Sequence, residues 1–129
     1  MASASELDDP SIPDSEALLR RIKAFKNWIS PGGRPTSVAF KDNTPDGRLS
    51  VHRSSLTTVD WVCGTYPDYG VWSVLAGVPR AFEHGVVGAP TDADPSHAVV
   101  VALPSASISK RMEAARRMAA ASEMLRPIP

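Results

Sequence analysis

The chain has 129 residues, 43% of them hydrophobic, and a formal charge of zero from 14 basic and 14 acidic side chains. That is enough for one domain with its own core, and there is no bulk field to select a nucleic acid or an acidic surface. A lone cysteine, Cys63, excludes an internal disulfide, no run approaches the roughly 18 apolar residues of a membrane span, and no secretory signal opens the chain, so a soluble, cytoplasmic protein is expected.

Residues 1–13 are rich in Ser, Ala and Asp and contain Pro10 and Pro13. Such a composition cannot offset its ordering entropy by burial, so a disordered acidic tail is expected there, followed by a single domain over residues 14–129. Behind Asp14 as N-cap, Leu18, Leu19, Ile22 and Phe25 fall at helical spacing and predict a short amphipathic helix over residues 15–24. A strand over 18–22 competes with it, because so short an apolar segment satisfies both periods. Ser30-Pro31-Gly32-Gly33-Arg34-Pro35 reads as a loop, and Val38 and Phe40 alternate with Ser37 and Ala39. The alternation predicts a strand over 36–40, joined through Asn43-Thr44-Pro45-Asp46-Gly47 to a second over 49–53 as a β-hairpin.

Thr57 or Thr58 can cap a turn or two of helix over 59–63, closed by Gly64 in the left-handed conformation. Tyr66-Pro67-Asp68-Tyr69-Gly70 forms an aromatic loop leading to a strand over 71–76 that Gly77 and Pro79 break, and Phe82 with Val86-Val87 suggests another β segment. His97-Ala98-Val99-Val100-Val101-Ala102-Leu103, bracketed by Pro95 and Pro104, is the only apolar run long enough for a strand buried on both faces, and predicts the central strand. Ser105 or Ser107 then caps a helix reaching about Leu125, with Ile108, Met112, Ala115, Ala119 and Ser122 as its apolar stripe and Pro127 as its stop. A meander of strands before one long helix favours α+β: a small mixed or mainly antiparallel sheet with the C-terminal helix packed on it.

Chemical signatures are sparse. His52, His84, His97 and Cys63 stand at no spacing that would gather metal ligands on one helix face, and the glycines lack a phosphate-cradle context, so neither metal nor cofactor is expected. His97, entering its strand behind Asp92, Asp94 and Ser96, can be read as a general base oriented by a carboxylate or, more plainly, as a strand-end histidine that caps a loop. No serine sits in a nucleophile elbow, and Cys63 beside Trp61 reads as a small core residue. Lys110, Arg111, Arg116 and Arg117, with Trp28 and the basic group at 20–26, are the candidates for nucleic-acid phosphates, against solvated basic helix faces. Tyr66, Tyr69 and Trp72 suit a protein-recognition patch, or else close the edge of the core.

The segments Leu19-Arg20-Arg21-Ile22, Ser37-Val38-Ala39-Phe40-Lys41-Asp42, Leu49-Ser50-Val51, Tyr66-Pro67-Asp68-Tyr69-Gly70-Val71 and Pro95-Ser96-His97-Ala98-Val99 resemble, in this order, a set of small bacterial proteins, over about residues 18–103. The resemblance implies a compact bacterial domain and brings no established activity. Its polar positions Arg21, Ser37, Asp42 and His97 are the first candidates for a site. Two expectations follow. The first is a non-catalytic interaction or accessory module of a bacterial multi-gene system, of conflict or immunity type, with another protein as partner. The second is a small enzyme whose site assembles from Arg21, Ser37, Asp42 and His97, and convergence of those four side chains would separate the two.

Overall fold

The computed structural model describes residues 7–25, 27–42, 47–64, 66 and 68–129. Among them run β1 (Ala17–Lys23), a 3-10 turn (Ser37–Phe40), β2 (Arg48–Arg53), a second 3-10 turn (Ser54–Leu56), α1 (Val59–Cys63), β3 (Tyr69–Leu75), α2 (Gly77–Arg80), β4 (His84–Gly88), β5 (His97–Ala102), α3 (Ile108–Ala121) and β6 (Glu123–Arg126). The six strands form one sheet in the order β4-β5-β2-β1-β3-β6, every pair antiparallel. The class is therefore α+β, with the C-terminal helix on the sheet.

Residues 17–23 form a strand rather than the expected helix. Leu18 and Leu19 are both buried although a strand sends them to opposite faces, and seven residue pairs, from Ala17↔Leu75 to Lys23↔Tyr69, tie β1 to β3. Two apolar faces and a full ladder outweigh the local helical rhythm. β5 is an interior strand, paired with β2 on one side and β4 on the other, and Val99, Val100 and Val101 are all buried.

On one face, here the covered face, Leu18, Ile22, Leu49, Val51, Trp72, Val74, Val86 and Val100 meet Phe40 and Ala39 of the first 3-10 turn, Ile12, and Ala114 and Met118 of α3. Residues 36–40 thus do not make the outer strand of a hairpin: they turn so that Ala39 and Phe40 plug this core. The expected hairpin turn at residues 43–46 lies outside the described residues. Ser107 caps α3 by accepting from Lys110 N–H. The buried side of α3 is Ala114, Ala115, Met118 and Ala119, whereas Ile108 and Met112 are exposed. The expected stripe is rotated because Arg111 turns inward to Asp42 and small alanines let the helix approach closely. Nor does the helix reach Leu125: Ser122 is extended, and β6 joins β3. Gly70 makes room for that strand, since a Cβ there would stand 2.7 Å from the Arg126 carbonyl oxygen.

The N-terminal segment also departs from expectation. Residues 1–6 lie outside the described residues, but residues 7–13 are folded onto the domain. Asp9 N–H donates to the Val86 carbonyl (2.8 Å), the Asp8 carboxylate accepts from Val86 N–H (2.9 Å), and Ile12 is fully buried. The acids meet Arg80, which reaches Asp8, the carbonyls of Asp9 and Ile12, and Asp14. No helix among the described residues is long and apolar enough to cross a membrane.

Candidate functional site

The other face of the sheet carries α1 and Asp94 of the 91–96 loop, and a cleft opens where two strands part. β1 and β2 pair only at Leu18↔Arg53 and Leu19↔His52, though both strands continue beyond. Arg20 fills the gap that the missing ladder leaves: its Nε donates to the Ala39 carbonyl (3.0 Å) and its Nη1 to the Ser50 carbonyl (3.0 Å). Burial, with the charge of Arg21 second, pulls the Arg20 guanidinium down to about 10, so it remains a cation at neutral pH. The resulting cleft, about 180 Å³, has Arg20, Arg21, Ser50 and His52 on its polar side and Trp28, Tyr66 and Tyr69 on its aromatic side.

Neighbouring elements set these side chains. Thr58 caps α1 by accepting from Trp61 N–H (3.2 Å), and Val62 and Cys63 pack on Leu19 and Val71. Cys63 is buried, as expected of a core residue. Gly64 follows with right-handed helical dihedrals, φ −46° and ψ −47°, not the expected left-handed cap. The Val62 carbonyl accepts from Arg21 Nη1 (3.2 Å), and the Arg21 guanidinium lies over the Tyr66 ring at 3.9 Å. Tyr66 and Tyr69 meet edge to face at 5.4 Å. Lys23 Nζ stands 5.9 Å from the Tyr69 ring, and Arg20 lies 5.5 Å from that of Trp28. Each of these three cations is thus paired with an aromatic ring. A wider groove of about 700 Å³ continues from Arg21 and Tyr66 past Trp61 to Ala93 and Asp94.

The β2–β5 ladder sets His52 directly opposite His97, ring centroids 6.0 Å apart. His97 Nδ1 is 2.9 Å from the Ala89 carbonyl, which can only accept, so that nitrogen carries a proton, and in the neutral ring Nε2 is the acceptor facing the Ser50 hydroxyl at 3.3 Å. His97 thus caps a loop, and the carboxylate expected to orient it serves His52 instead: Asp94 Oδ2 is 2.9 Å from His52 Nδ1. The approach is close but not aligned as a hydrogen bond. Burial lowers the His52 pKa, an effect that Asp94 opposes without cancelling, so the ring is neutral at neutral pH. Burial raises Asp94, but hydrogen bonds from Ser96 and the proximity of His52 outweigh it and leave the carboxyl below its ordinary value.

Of the four polar candidates, Arg21 and His97 share the cleft face. Asp42 is buried on the covered side between Arg111 (3.0 and 2.5 Å) and His84 (3.6 Å), and Ser37 opens the first 3-10 turn. The four do not converge. Trp72 does not join Tyr66 and Tyr69: it stands opposite Arg20 and is buried in the main core. Pro67 of that loop lies outside the described residues. The basic candidates on α3 are mostly engaged, Arg111 by Asp42 and both Arg116 and Arg117 by Glu113, and Lys110 is exposed. Sequence reasoning did not assign Ser50, His52 or Trp61 to a site, and it took Arg20 only with the basic group at 20–26 and Asp94 only as a carboxylate for His97. The available signal was an Arg-Arg pair inside a segment that also fits a buried strand. No group of three or more His, Cys, Asp or Glu among the described residues is placed to hold a metal ion.

No family model, no curated protein and no solved structure matches the chain.

Proposed function

We propose that this chain is a non-catalytic recognition module that binds another protein through its cleft face. One observation carries the reading: Trp61 and Tyr66 are each about half exposed, at 50% and 40%, beside an arginine stacked on one of them. Aromatic rings and arginine, held in place by their neighbours, are the side chains that dominate interface energetics, because they bury much area at little entropic cost. A photocrosslinker in place of Trp61 should trap one defined partner in the native host, and the same group in place of Met112, exposed on α3, should not. Tyr66→Ala and Tyr69→Ala should each weaken that complex by about 2 kcal/mol, the loss of an interface hot spot. Equal trapping from both positions, or wild-type affinity in both variants, would reject the reading.

One observation favours a second reading, a small hydrolytic enzyme: the Ser50 hydroxyl donates to His97 Nε2. Against it, the partner of His97 Nδ1 is a backbone carbonyl, which orients the ring but does not stabilise the imidazolium that general-base catalysis creates. Labelling of Ser50 by a fluorophosphonate, abolished in His97→Ala, would support this enzyme; a Ser50 that stays unlabelled would leave the recognition module.

A further inference from the structure

We propose that the cleft between β1 and β2 is an oxyanion-binding site, and that the determinant it takes from a partner is a carboxylate or phosphate group on a peptide segment. This rests on the recognition reading above and names the chemistry recognised.

Arginines elsewhere in the fold show what is unusual here. Arg53 holds Glu16, Arg80 holds Asp8 and Asp14, Arg111 holds Asp42, Arg116 and Arg117 share Glu113, and Arg126 holds Asp60. Arg20 and Arg21 start from opposite faces of β1 and both line the cleft at the gap between β1 and β2, and among the described residues their partners are backbone carbonyls and aromatic rings. Among the described residues no acid lines that cleft, and Asp60 and Asp94 line the groove that continues from it. A partly buried cation without a counter-ion costs free energy, and a bound anion removes the cost.

The donors are also fixed in place. Arg20 uses Nε and Nη1 on the Ala39 and Ser50 carbonyls, which locks its plane and leaves Nη2 without a protein acceptor among the described residues. Among the described residues Arg21 donates through Nη1, and stacking on Tyr66 holds the rest of its fork flat. Two locked guanidinium groups are suited to charge-assisted, multidentate capture of a carboxylate or phosphate. Size bounds the ligand: at about 180 Å³ the cleft has room for roughly six waters. That accommodates a side-chain head group, and the wider groove past Tyr66 leaves room for the chain that carries it. Tyr66 and Tyr69 on the rim then meet the flanking chain.

The test is a titration of the full chain, followed by the side-chain Nε–H resonances of Arg20 and Arg21. The probes are acetyl-hexaglutamate amide, its hexaglutamine counterpart, a phosphoserine tripeptide and its unphosphorylated form. The expected result is that hexaglutamate, the phosphopeptide or both shift these resonances while the two uncharged peptides do not, and which of the two binds more tightly separates a carboxylate from a phosphate source. Arg21→Ala should weaken the binding about tenfold or more, as expected for loss of a charge-assisted contact. Arg21→Lys should recover part of it, and Arg117→Gln, whose guanidinium lies on α3, should leave it unchanged. Arg21 is the position to vary because Arg20 also joins β1, β2 and the first 3-10 turn, and the wild-type shifts stand as a readout even if Arg21→Ala fails to fold. Absence of shifts up to about 10 mM of either anionic peptide, shifts outside the cleft, or equal loss in Arg117→Gln would overturn the proposal. Partner trapping that survives such a failure would leave the recognition reading intact. Anion binding by a chain whose partner complex ignores Tyr66 and Tyr69 would reject that reading alone.

Discussion

The two faces of the sheet handle charge in opposite ways. On the covered face, arginines brought against the core meet carboxylates: Arg53 takes Glu16 in a two-pronged pair at 3.1 and 3.0 Å, Arg80 gathers Asp8 and Asp14, and Arg111 takes Asp42. On the cleft face, Arg126 holds Asp60 at the rim and Arg21 rests on the Val62 carbonyl and the Tyr66 ring, while Arg20, which strand alternation starts on the covered side opposite Trp72, reaches the same cleft through the gap between β1 and β2. Ion pairs that tie distant segments together stabilise the fold, whereas cations beside exposed aromatics are where the proposed recognition would act. Substitutions should therefore separate by face, the covered one governing stability and the other governing binding.

The largest effect is expected at the centre of the covered core. Val100 is fully buried on β5, so Val100→Asp puts an unpaired charge there at a cost on the order of 3–5 kcal/mol, as much as many domains have to spare. A soluble Val100→Asp chain with a cooperative urea transition would contradict the packing described. Next is Arg80→Ala, which strands the Asp8 carboxylate and the Asp9 and Ile12 carbonyls. Chemical denaturation should register a loss of about 2–3 kcal/mol. Asp14→Ala, at the exposed end of the same cluster, should cost less than about 1 kcal/mol. Equal losses in these two variants would mean that Arg80 is a surface ion pair and the N-terminal segment is held by other contacts.

The same contrast explains what could be read from sequence. β5, α1 and most of α3 were legible because each announces itself locally: a valine run between prolines, a threonine cap before a short apolar turn, and a serine cap before alanines and other strong helix formers. β1 was ambiguous because Leu18, Leu19 and Ile22 fit one helix face as well as two strand faces, and only pairing with β3 decides between them. β6 was hidden by residues of high helix propensity, Glu123, Met124, Leu125 and Arg126, whose strand state comes from the free edge of β3. Acidic composition at residues 7–13 suggested disorder, yet the clustered acceptors around Arg80 come from contacts some 66–72 residues apart. Two of the four polar candidates lie on the cleft face, and one of them, Arg21, lines the cleft itself. Arg21 and His97 lie on strands whose alternation sends them to one side, whereas Asp42 follows the turn at 37–40 and lies on the far side of the sheet. His52 was missed because its place opposite His97 is a matter of register between strands far apart in sequence.

Acid should unfold the two faces in different windows. Burial raises the Glu16 carboxyl, but hydrogen bonds from Arg53 and Ser55 overcome this and hold it below its ordinary 4.5. A depressed carboxylate contributes stability above its unfolded value, and that contribution is lost as pH falls through the lower folded one. His52 acts higher. Its buried ring resists protonation, whereas the unfolded imidazole takes a proton near 6.5, so stability starts to decline as pH falls below that value. Asp94 partly offsets the effect from one side, and Arg21 and His97 reinforce it from the others. Denaturation midpoints between pH 7 and pH 5 should fall in the wild type and flatten in His52→Gln, while Glu16→Gln should remove dependence only in the acid range below 4.5. Identical pH profiles in the two variants would deny the separation of faces.

The smallest effect on stability should accompany the largest effect on binding, and Trp61 is the place to look. Its ring is half exposed, edge-on to His52 at 6.5 Å, while its helix is anchored to the sheet by Val62 and Cys63. Truncation to alanine removes area that mostly faces water and leaves the Thr58 cap on its backbone N–H intact. Trp61→Ala should therefore shift the urea midpoint by no more than about 0.5 kcal/mol, as for surface positions elsewhere. If Trp61 anchors a partner, the same substitution should cost about 2 kcal/mol of binding or more, roughly a thirtyfold loss of affinity. Measured together on one preparation, these two quantities distinguish the roles directly. A loss of stability as large as the loss of binding would make Trp61 a lid over the His52–Asp94 pair, and the cleft face would then belong to the fold as much as the covered one does.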